Sequence, residues 1–232
     1  MLLDAATLEK SEIVANGCMN RQRNLAGPNS YEKDLGFNPL DFLRKSLENN
    51  RAASWLDLCC GSGRALLQAA EFYCAADMDQ EVKLTGVDLI PMFDLVGSNA
   101  DRARLIAASL EKWEPEEQFD LVTCVHGLHY IGDKLGLLQR ASGWLKDDGL
   151  LVAHLDYRNL RIKGRTSSGA QIGKDLRRAG FRYASGRRLL SHSAQTLGRP
   201  IPYRYLGADD QAGPNYTGQA AVDSYYERTT SS

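Results

Sequence analysis

The sequence is poor in cysteine and histidine, and it has no long apolar run. Its five cysteines include no Cys-x-x-Cys pair and its four histidines form no Cys/His ligand pattern, which argues against a disulfide framework and a zinc cage. No apolar stretch approaches the ~18 residues that cross a bilayer. Three acids, Asp4, Glu9 and Glu12, stand where an export signal would be basic and then apolar. We therefore expect a cytoplasmic protein that holds no metal and does not enter a membrane.

The rest of the composition is that of an ordinary soluble protein. The chain has 232 residues, of which 43% are hydrophobic and 25% charged. At ~150 residues per domain, this length predicts one domain with extensions. The net charge of −1 conceals an uneven distribution, because residues 157–199 hold eleven basic residues against one acid, Asp175. Two interpretations stay open: a solvated face, or a surface that attracts an anionic substrate, an acidic carrier protein or RNA.

The middle of the chain alternates short apolar runs with segments of helical periodicity. This pattern predicts parallel strands near residues 54–59, 82–89, 104–108, 119–125 and 149–155. Two later strands, near 182–190 and 201–206, are joined too closely for a crossover helix, so we expect them to form a hairpin. The sequence therefore predicts an α/β fold with a doubly wound, mostly parallel seven-stranded sheet and a terminal antiparallel hairpin. Ligands bind such sheets beyond the carboxyl ends of the strands.

The sharpest local signal is a glycine loop after the first strand, LDLCCGSGR over residues 56–64. A strand that runs into Gly61 and Gly63 and then a helix brings the backbone close to a ligand and presents free amides. Leu66 stands where a dinucleotide fingerprint wants glycine, so a nicotinamide dehydrogenase ranks last. Cys59 suits this turn only if its backbone φ is not positive.

Two acids accompany the loop. Asp57, at the end of the first strand, suits a ligand with a positive group better than a pyrophosphate. Asp88 closes the second strand 25 residues after Gly63. That spacing is close to the ~20 residues typical of a carboxylate that accepts from ribose hydroxyls. The pair predicts a site for a nucleoside that carries positive charge.

These segments resemble the class I S-adenosylmethionine-dependent methyltransferases. Asp57, Gly61 and Gly63 match the family's acid-x-Gly-x-Gly-x-Gly motif, and Cys59 stands at its first glycine. Similar segments follow in order: Gly86–Leu89 at the ribose strand, 108–111 at the adenine segment with Ser109 for a common Asp, 119–130 at the fourth strand, and 145–151 before the fifth.

The resemblance implies a Rossmann-like methyltransferase fold that binds S-adenosyl-L-methionine and leaves S-adenosyl-L-homocysteine. It also implies an N-terminal helical segment that covers the cofactor and presents a tyrosine, for which Tyr31 is the candidate, although a helix-packing aromatic would look identical. The cofactor-binding residues implied by the resemblance are Tyr31, Asp57, Cys59, Gly61, Gly63, Asp88, Leu89, Ser109, Leu110 and Val125.

Methyl transfer is an in-line displacement, and a nucleophile that is protonated at neutral pH needs a general base. His126 and His129 flank Gly127 at the end of the fourth strand and are the catalytic candidates, with packing or helix-start support as the alternative. Tyr130, Asp156 and Arg158 are the substrate-binding candidates. Of the other histidines, we expect His154 to be a hydrogen-bonded core residue and His192 to be exposed.

Three units are expected: a helical cover over residues 1–50, a methyltransferase core over 51–206, and a tail over 207–232 that is either disordered or a lid on the active site. The leading hypothesis is methyl transfer to O or N of a small molecule, with an anionic metabolite or natural product as one option. An RNA methyltransferase that uses residues 157–199 and an inactive cofactor-binding scaffold are the alternatives. Few aromatic residues accompany the arginines, so nucleic acid is not the expected partner. The acceptor and the oligomeric state stay open.

Overall fold

The computed structural model describes residues 1–15, 22–50, 52–78, 81–94 and 102–229. Cys18 and Arg21, which belong to the expected N-terminal cover, lie outside this part of the chain. Among the described residues, four helices precede the first strand: α1 (Ala5–Leu8), α2 (Glu12–Ala15), α3 (Tyr31–Leu35) and α4 (Pro39–Asn50). Within the described residues, no helix is long and apolar enough to cross a membrane.

Seven strands of the described chain form the main sheet, in the order β3-β2-β1-β4-β5-β8-β7. The first five are parallel, whereas β8 is antiparallel to both β5 and β7. The strands are β1 (Ala53–Leu58), β2 (Val82–Asp88), β3 (Arg104–Ala107), β4 (Phe119–Cys124), β5 (Leu145–His154), β7 (Arg182–Ala184) and β8 (Leu189–Ser193). The predicted doubly wound sheet with a terminal hairpin is confirmed. Its strand order reverses between β1 and β4, which is where such sheets bind ligands.

Helices cover both faces of the sheet, because its central strands are buried throughout. All six residues of β1 and all six of β4 are buried. On one face, α5 (Arg64–Ala75) and α4 pack over Trp55 and its neighbours. On the other face, α6 (Lys134–Gly143) and α7 (Gly169–Arg178) pack over β5 and β8. Strands buried on both faces read as continuous apolar runs, which is why the sequence identified them.

The late strands pair differently from the prediction. Residues 182–190 do not form one strand, because a tight turn from Ala184 to Arg188 splits them into β7 and the start of β8. The terminal hairpin is therefore β7–β8. β9 (Tyr203–Asp209), expected as its second strand, instead joins β6 (Leu160–Ile162) and β10 (Asp223–Arg228) in a three-stranded sheet of order β6-β10-β9. β9 also continues past residue 206, where we had placed the start of the tail.

Candidate active site

The glycine loop connects β1 to α5 through three residues with positive φ, Cys59 (55°), Gly61 (59°) and Gly63 (75°). Asp88, at the end of β2, holds the loop in place. One of its carboxylate oxygens accepts from the Gly61 amide at 2.8 Å and the other from the Ile90 amide at 3.0 Å. The loop and the acid that the sequence associated therefore lie in direct contact.

Cys59 corrects one expectation, because its backbone does adopt the left-handed conformation. The neighbouring turn nevertheless leaves room for its side chain. A Cβ added at Gly127 would lie 2.2 Å from the Cys59 Cβ and 2.7 Å from its Sγ. The hydrogen bond with Cys124, reinforced by burial, raises the pKa of the Cys59 thiol well above its usual range. Cys59 is thus a protonated packing residue that depends on a glycine at position 127.

Asp57 lies beneath the loop and is 1% exposed. Its carboxylate accepts from the Tyr31 hydroxyl at 2.5 Å and from Thr123 Oγ1 at 2.6 Å, and Thr123 in turn accepts from the Trp55 indole at 2.8 Å. Burial raises the pKa of Asp57 to about 7, although its two hydrogen bonds oppose the shift. Burial also raises the pKa of Tyr31 well above its usual range, so Tyr31 stays a hydrogen-bond donor.

The opposite end of the site lies between β3 and the N-terminal helices. Leu89 and Leu110 supply apolar surface, and Glu111 accepts from the Asp133 amide at 3.2 Å. Burial raises the pKa of Glu111. Ser109 does not contribute to the wall, because its hydroxyl donates to Glu9 at the end of α1.

Three imidazole rings gather where β4 and β5 end. The rings of His126 and His154 are stacked, with centroids 4.1 Å apart and planes 10° from parallel, and His129 lies 6.1 Å from His126. Burial lowers the pKa of both His129 and His154 to about 3, so both rings are neutral at physiological pH. His154 is buried as expected, but its Nδ1 has no partner, so the expectation of a hydrogen-bonded core residue was wrong. His192, expected to be exposed, is buried under Phe181.

His126 differs from the other two because polar groups face both of its ring nitrogens. Its Nε2 lies 3.6 Å from Asp34 on α3, and Asp34 also pairs with Arg23. Its Nδ1 lies 3.2 Å from the hydroxyl of Tyr216. The positive φ of 60° at His126 turns the chain from β4 into the 3₁₀ turn Gly127–Tyr130. A base flanked by a carboxylate and a hydroxyl has the arrangement that proton transfer needs.

The three substrate-binding candidates lie in different surroundings. Tyr130 lies on the wall of the site. Asp156 is 4% exposed on its side chain and pairs with Arg158 and Arg188, so its carboxylate is committed to two guanidinium groups. Arg158 points outward, with 62% of its side chain exposed.

A single crevice connects these groups. Its empty space, including the mouth that opens to solvent, is about 1050 Å³. Nine predicted site residues line it: Tyr31, Cys59, Gly61, Asp88, Leu89, Leu110, Val125, His126 and Tyr130. Six others do not line it: Asp57, Gly63, Ser109, His129, Asp156 and Arg158.

Several residues that line the crevice or contact His126 escaped the sequence interpretation. Arg23 and Glu9 line the crevice from the N-terminal segment, and Asp34 and Tyr216 contact His126. Each comes from a segment far from β4 in sequence, so no local spacing connects it to the site. The only available signal was the tyrosine content of the C-terminal tail.

Among the described residues, no group of three or more His, Cys, Asp or Glu side chains is arranged to hold a metal ion. The histidine cluster illustrates the reason. Imidazole lone pairs lie in the ring plane, and the near-parallel planes of His126 and His154 keep those lone pairs from converging on one point.

Comparison with known proteins agrees with this geometry. A model of the methyltransferase domain matches residues 31–187, more than half of the chain. The chain belongs to the methyltransferase domain family. The resemblance drawn from the sequence is thereby confirmed at the level of the family.

Individual relatives are more distant. (S)-Coclaurine N-methyltransferase of Papaver somniferum is 28% identical over 128 residues, which are 52% of this chain and 35% of the relative. The chain thus matches about a third of the length of this curated relative. A crystal structure of coclaurine N-methyltransferase bound to N-methylheliamine and SAH has 19% identity and a TM-score of 0.44, over 66% of this chain and 47% of that one. The plantazolicin methyltransferase BpumL in complex with SAH has 14% identity and a TM-score of 0.42, over 64% and 55%.

Proposed function

We propose that the protein is an S-adenosyl-L-methionine-dependent methyltransferase that transfers a methyl group to O or N of a small molecule. The observation that carries the proposal is the single crevice, which runs from the glycine loop and Asp88 to His126. A nucleoside site and a base that border one space are what transfer from a nucleoside cofactor to an acceptor requires.

The residues present fit this cofactor. Asp88 has a carboxylate at the strand end, where it accepts hydrogen bonds and lines the crevice. Leu89 and Leu110 offer apolar faces for a purine, beside the carboxylates of Glu9 and Glu111. A buried hydroxyl without a partner, that of Tyr205, lies 2.6 Å from where a Cβ of the crevice-lining Gly132 would stand. Tyr31 and Asp57 suit the positively charged amino acid end. When bound, the cofactor supplies a methyl group on a positively charged sulfur.

His126 is the proposed base for an acceptor that carries a proton. Asp34 faces it at 3.6 Å, outside hydrogen-bond distance but close enough to stabilise an imidazolium. His129 and His154 stay neutral beside it and add no competing positive charge. The chain thus offers one ring with a carboxylate beside it and two rings that stay neutral.

The basic segment gives less support to RNA methylation. Four of its arginines pair with acids: Arg158 and Arg188 with Asp156, Arg161 with Asp223, and Arg178 with Asp175. The residues that line the crevice come from other parts of the chain. We infer that this part of the positive charge neutralises buried carboxylates, and that a carrier protein or RNA is not needed to explain these four arginines. A salt titration of RNA binding would decide, because phosphate contacts weaken steeply with salt.

Cofactor binding tests the proposal directly. Isothermal titration with S-adenosylhomocysteine should give saturable binding, and Asp88→Ala should weaken it at least about tenfold, since charged hydrogen bonds contribute roughly 1.5–3 kcal/mol. Asp147→Ala, an exposed acid on β5, is the matched control and should bind like the wild type. Absence of binding by the wild type would refute the proposal.

A second measurement separates an enzyme from an inactive scaffold. Extracts of small molecules incubated with the protein and isotopically labelled cofactor should yield a labelled product by mass spectrometry. Binding without any labelled product across broad acceptor pools would favour the scaffold. Labelled RNA in place of a small molecule would favour the RNA alternative.

A further inference from the structure

The segment between β9 and β10 folds into a small hairpin over the histidine cluster. Pro214 and Ala220 form an antiparallel bridge, and the Asn215 amide donates to the Gln219 carbonyl at 2.7 Å. The hairpin, residues 213–221, therefore makes its own backbone hydrogen bonds. Gln219 lines the crevice from this side, so the hairpin borders the space that ends at His126.

The chain immediately after the hairpin is firmly attached. The Val222 amide donates to the His129 carbonyl at 2.9 Å. The buried ammonium of Lys134 donates to the Val222 carbonyl at 2.8 Å and to Ser224 at 2.7 Å. A self-contained hairpin beside a fixed strand can move without unfolding the sheet, which is the property of a lid.

Tyr216 is the side chain by which this hairpin holds the histidines. Its hydroxyl lies 3.2 Å from His126 Nδ1, and its ring meets His129 edge-on at 5.5 Å. The guanidinium carbon of Arg188 lies over the ring, 4.3 Å from its centroid. A phenol is thus bound by an imidazole at its oxygen and by a cation at its face.

The hydrogen bond fixes which way its proton points. Burial raises the pKa of Tyr216 to about 12, so the phenol keeps its proton at neutral pH. When the phenol donates and His126 Nδ1 accepts, the hydrogen on the imidazole lies on Nε2, facing Asp34. This is the order hydroxyl, imidazole, carboxylate that activates a hydroxyl group.

We propose that Tyr216 occupies the position of the methyl acceptor, that the hairpin 213–221 is a lid which must lift to admit substrate, and that the substrate is an aromatic compound with a phenolic hydroxyl. This inference rests on the proposed methyltransferase function. A substrate ring that replaces Tyr216 would have the same three neighbours: His126 at the oxygen, Arg188 over the face and His129 at the edge.

The chemical step balances with the groups present. The phenolic oxygen gives its proton to His126 Nδ1 and forms a bond to the methyl carbon of S-adenosylmethionine. The carbon–sulfur bond breaks and its electron pair stays on sulfur, which becomes the neutral thioether. The imidazolium of His126 faces Asp34 until the proton passes to solvent. An alkylamine on a comparable ring, which is an ammonium at neutral pH, suits the pocket less well because Arg188 would repel it.

The probe for this test is p-cresol, the tyrosine side chain as a free molecule, with benzylamine as the amine counterpart. Each is titrated into wild type, Tyr216→Ala and Tyr216→Phe saturated with S-adenosylhomocysteine. Removal of the internal phenol should tighten p-cresol binding at least about tenfold, since a competing closed state lowers apparent affinity in proportion to its population. Tyr216→Phe keeps the ring beside Arg188 and His129, so its affinity for p-cresol should fall between those of the wild type and Tyr216→Ala. Tyr225→Ala, a tyrosine on β10 away from the crevice, is the control and should match the wild type.

Methylation of p-cresol, followed with labelled S-adenosylmethionine, completes the test, and we expect an aryl methyl ether. Equal p-cresol affinity in wild type and Tyr216→Ala would overturn the proposal, as would tighter binding or preferred methylation of benzylamine. These outcomes presuppose that S-adenosylhomocysteine binds. Failure of that binding overturns the proposed function itself, so the two failures can be told apart.

Discussion

At the scale of single residues, Cys59 and Gly127 act as a complementary pair. Cys59 stands at a loop position with φ 55°, where glycine is normally preferred, and Gly127 provides the space its side chain needs. Gly127 itself has no positive φ, so its glycine is required by this contact and not by its backbone. A cysteine at this position of the loop thus requires a glycine in the turn after β4.

This pairing predicts a double-mutant cycle. Gly127→Ala should lower the free energy of unfolding by about 1–3 kcal/mol, because its Cβ would overlap Cys59. In a Cys59→Gly background, the same change should cost less than about 1 kcal/mol. Urea denaturation of the wild type, the two single variants and the double variant measures the coupling free energy between the two positions. Gly143→Ala, where a Cβ would meet nothing within 4 Å, is the control and should be neutral or stabilising. Additive costs at positions 59 and 127 would contradict the pairing.

Asp57 predicts a pH dependence of cofactor binding. Its pKa of about 7 means that the free protein holds the proton below pH 7, whereas a ligand with an ammonium group favours the ionised carboxylate. Binding below pH 7 must therefore release a proton. Affinity for S-adenosylhomocysteine should be about tenfold weaker at pH 6 than at pH 8. Calorimetry in buffers of different ionisation heat measures both quantities.

The Asp57→Asn variant provides the control for this effect. It should bind more weakly than the wild type at pH 8, yet its affinity should change little between pH 6 and pH 8. An equally steep pH dependence in the variant would assign the titration to another group.

At the scale of elements, Asp175 joins the three-stranded sheet to the main fold. This buried carboxylate on α7 accepts from Arg228 on β10 at 2.9 and 3.1 Å, and from the Tyr203 hydroxyl on β9 at 2.8 Å. The Arg228 guanidinium holds the pKa of Asp175 far below its usual range. One side chain thus connects a helix of the main fold with two strands of the smaller sheet.

Loss of this charge should loosen the smaller sheet first. Asp175→Asn should lower the free energy of unfolding by about 1–2 kcal/mol, because it weakens the charged hydrogen bonds from the partly exposed Arg228. Hydrogen exchange should show the amides of β10 losing protection while those of β1 and β4 keep theirs. Asp147→Asn, on the exposed side of β5, is the control and should be within about 0.5 kcal/mol of the wild type. Uniform loss of protection would mean that the two sheets unfold together.

The elements also explain how far the sequence alone could go. β1, β2 and β4 were predicted within a residue or two because they are buried on both faces, so their own composition identifies them. β6 has three residues and β10 reads DSYYER, and neither has an apolar run that identifies it as a strand. The pairing of β9 was wrong because its true partner was not recognised as a strand.

The same limit applies to the site. Asp57, Asp88 and His126 lie at or just after the carboxyl ends of strands, where such sheets bind ligands, so topology predicted their proximity. Asp34 and Tyr216 reach His126 from α3 and from the hairpin 213–221, which lie on opposite sides of the core in sequence. Contacts across 90 residues depend on how the covering segments fold, and no local pattern encodes that.

At the scale of the whole molecule, buried ionisable groups make stability depend on pH in opposing ways. Asp57 has a raised pKa, so the folded state holds its proton more tightly than the unfolded chain does. This group therefore makes the folded state more stable as the pH falls. His129 and His154, with lowered pKa values of about 3, act in the opposite sense. Only the unfolded chain protonates these rings between pH 6.5 and pH 3. Each histidine therefore destabilises the fold as the pH falls through that range.

His154→Phe isolates one of these contributions. The variant keeps a flat ring against His126 but has no proton to gain on unfolding, so its free energy of unfolding should rise relative to the wild type as the pH falls. The gain should be about 1.4 kcal/mol per pH unit below 6.5, or roughly 2 kcal/mol between pH 7.5 and pH 5. Denaturant titrations at several pH values measure this difference. Tyr183→Phe serves as the control because burial raises the pKa of that tyrosine, so its offset from the wild type should not change with acid. If the unfolding free energy of His154→Phe also differed from that of the wild type by the same amount at every pH, His154 would be protonated in the folded protein. The cluster beside His126 would then carry positive charge.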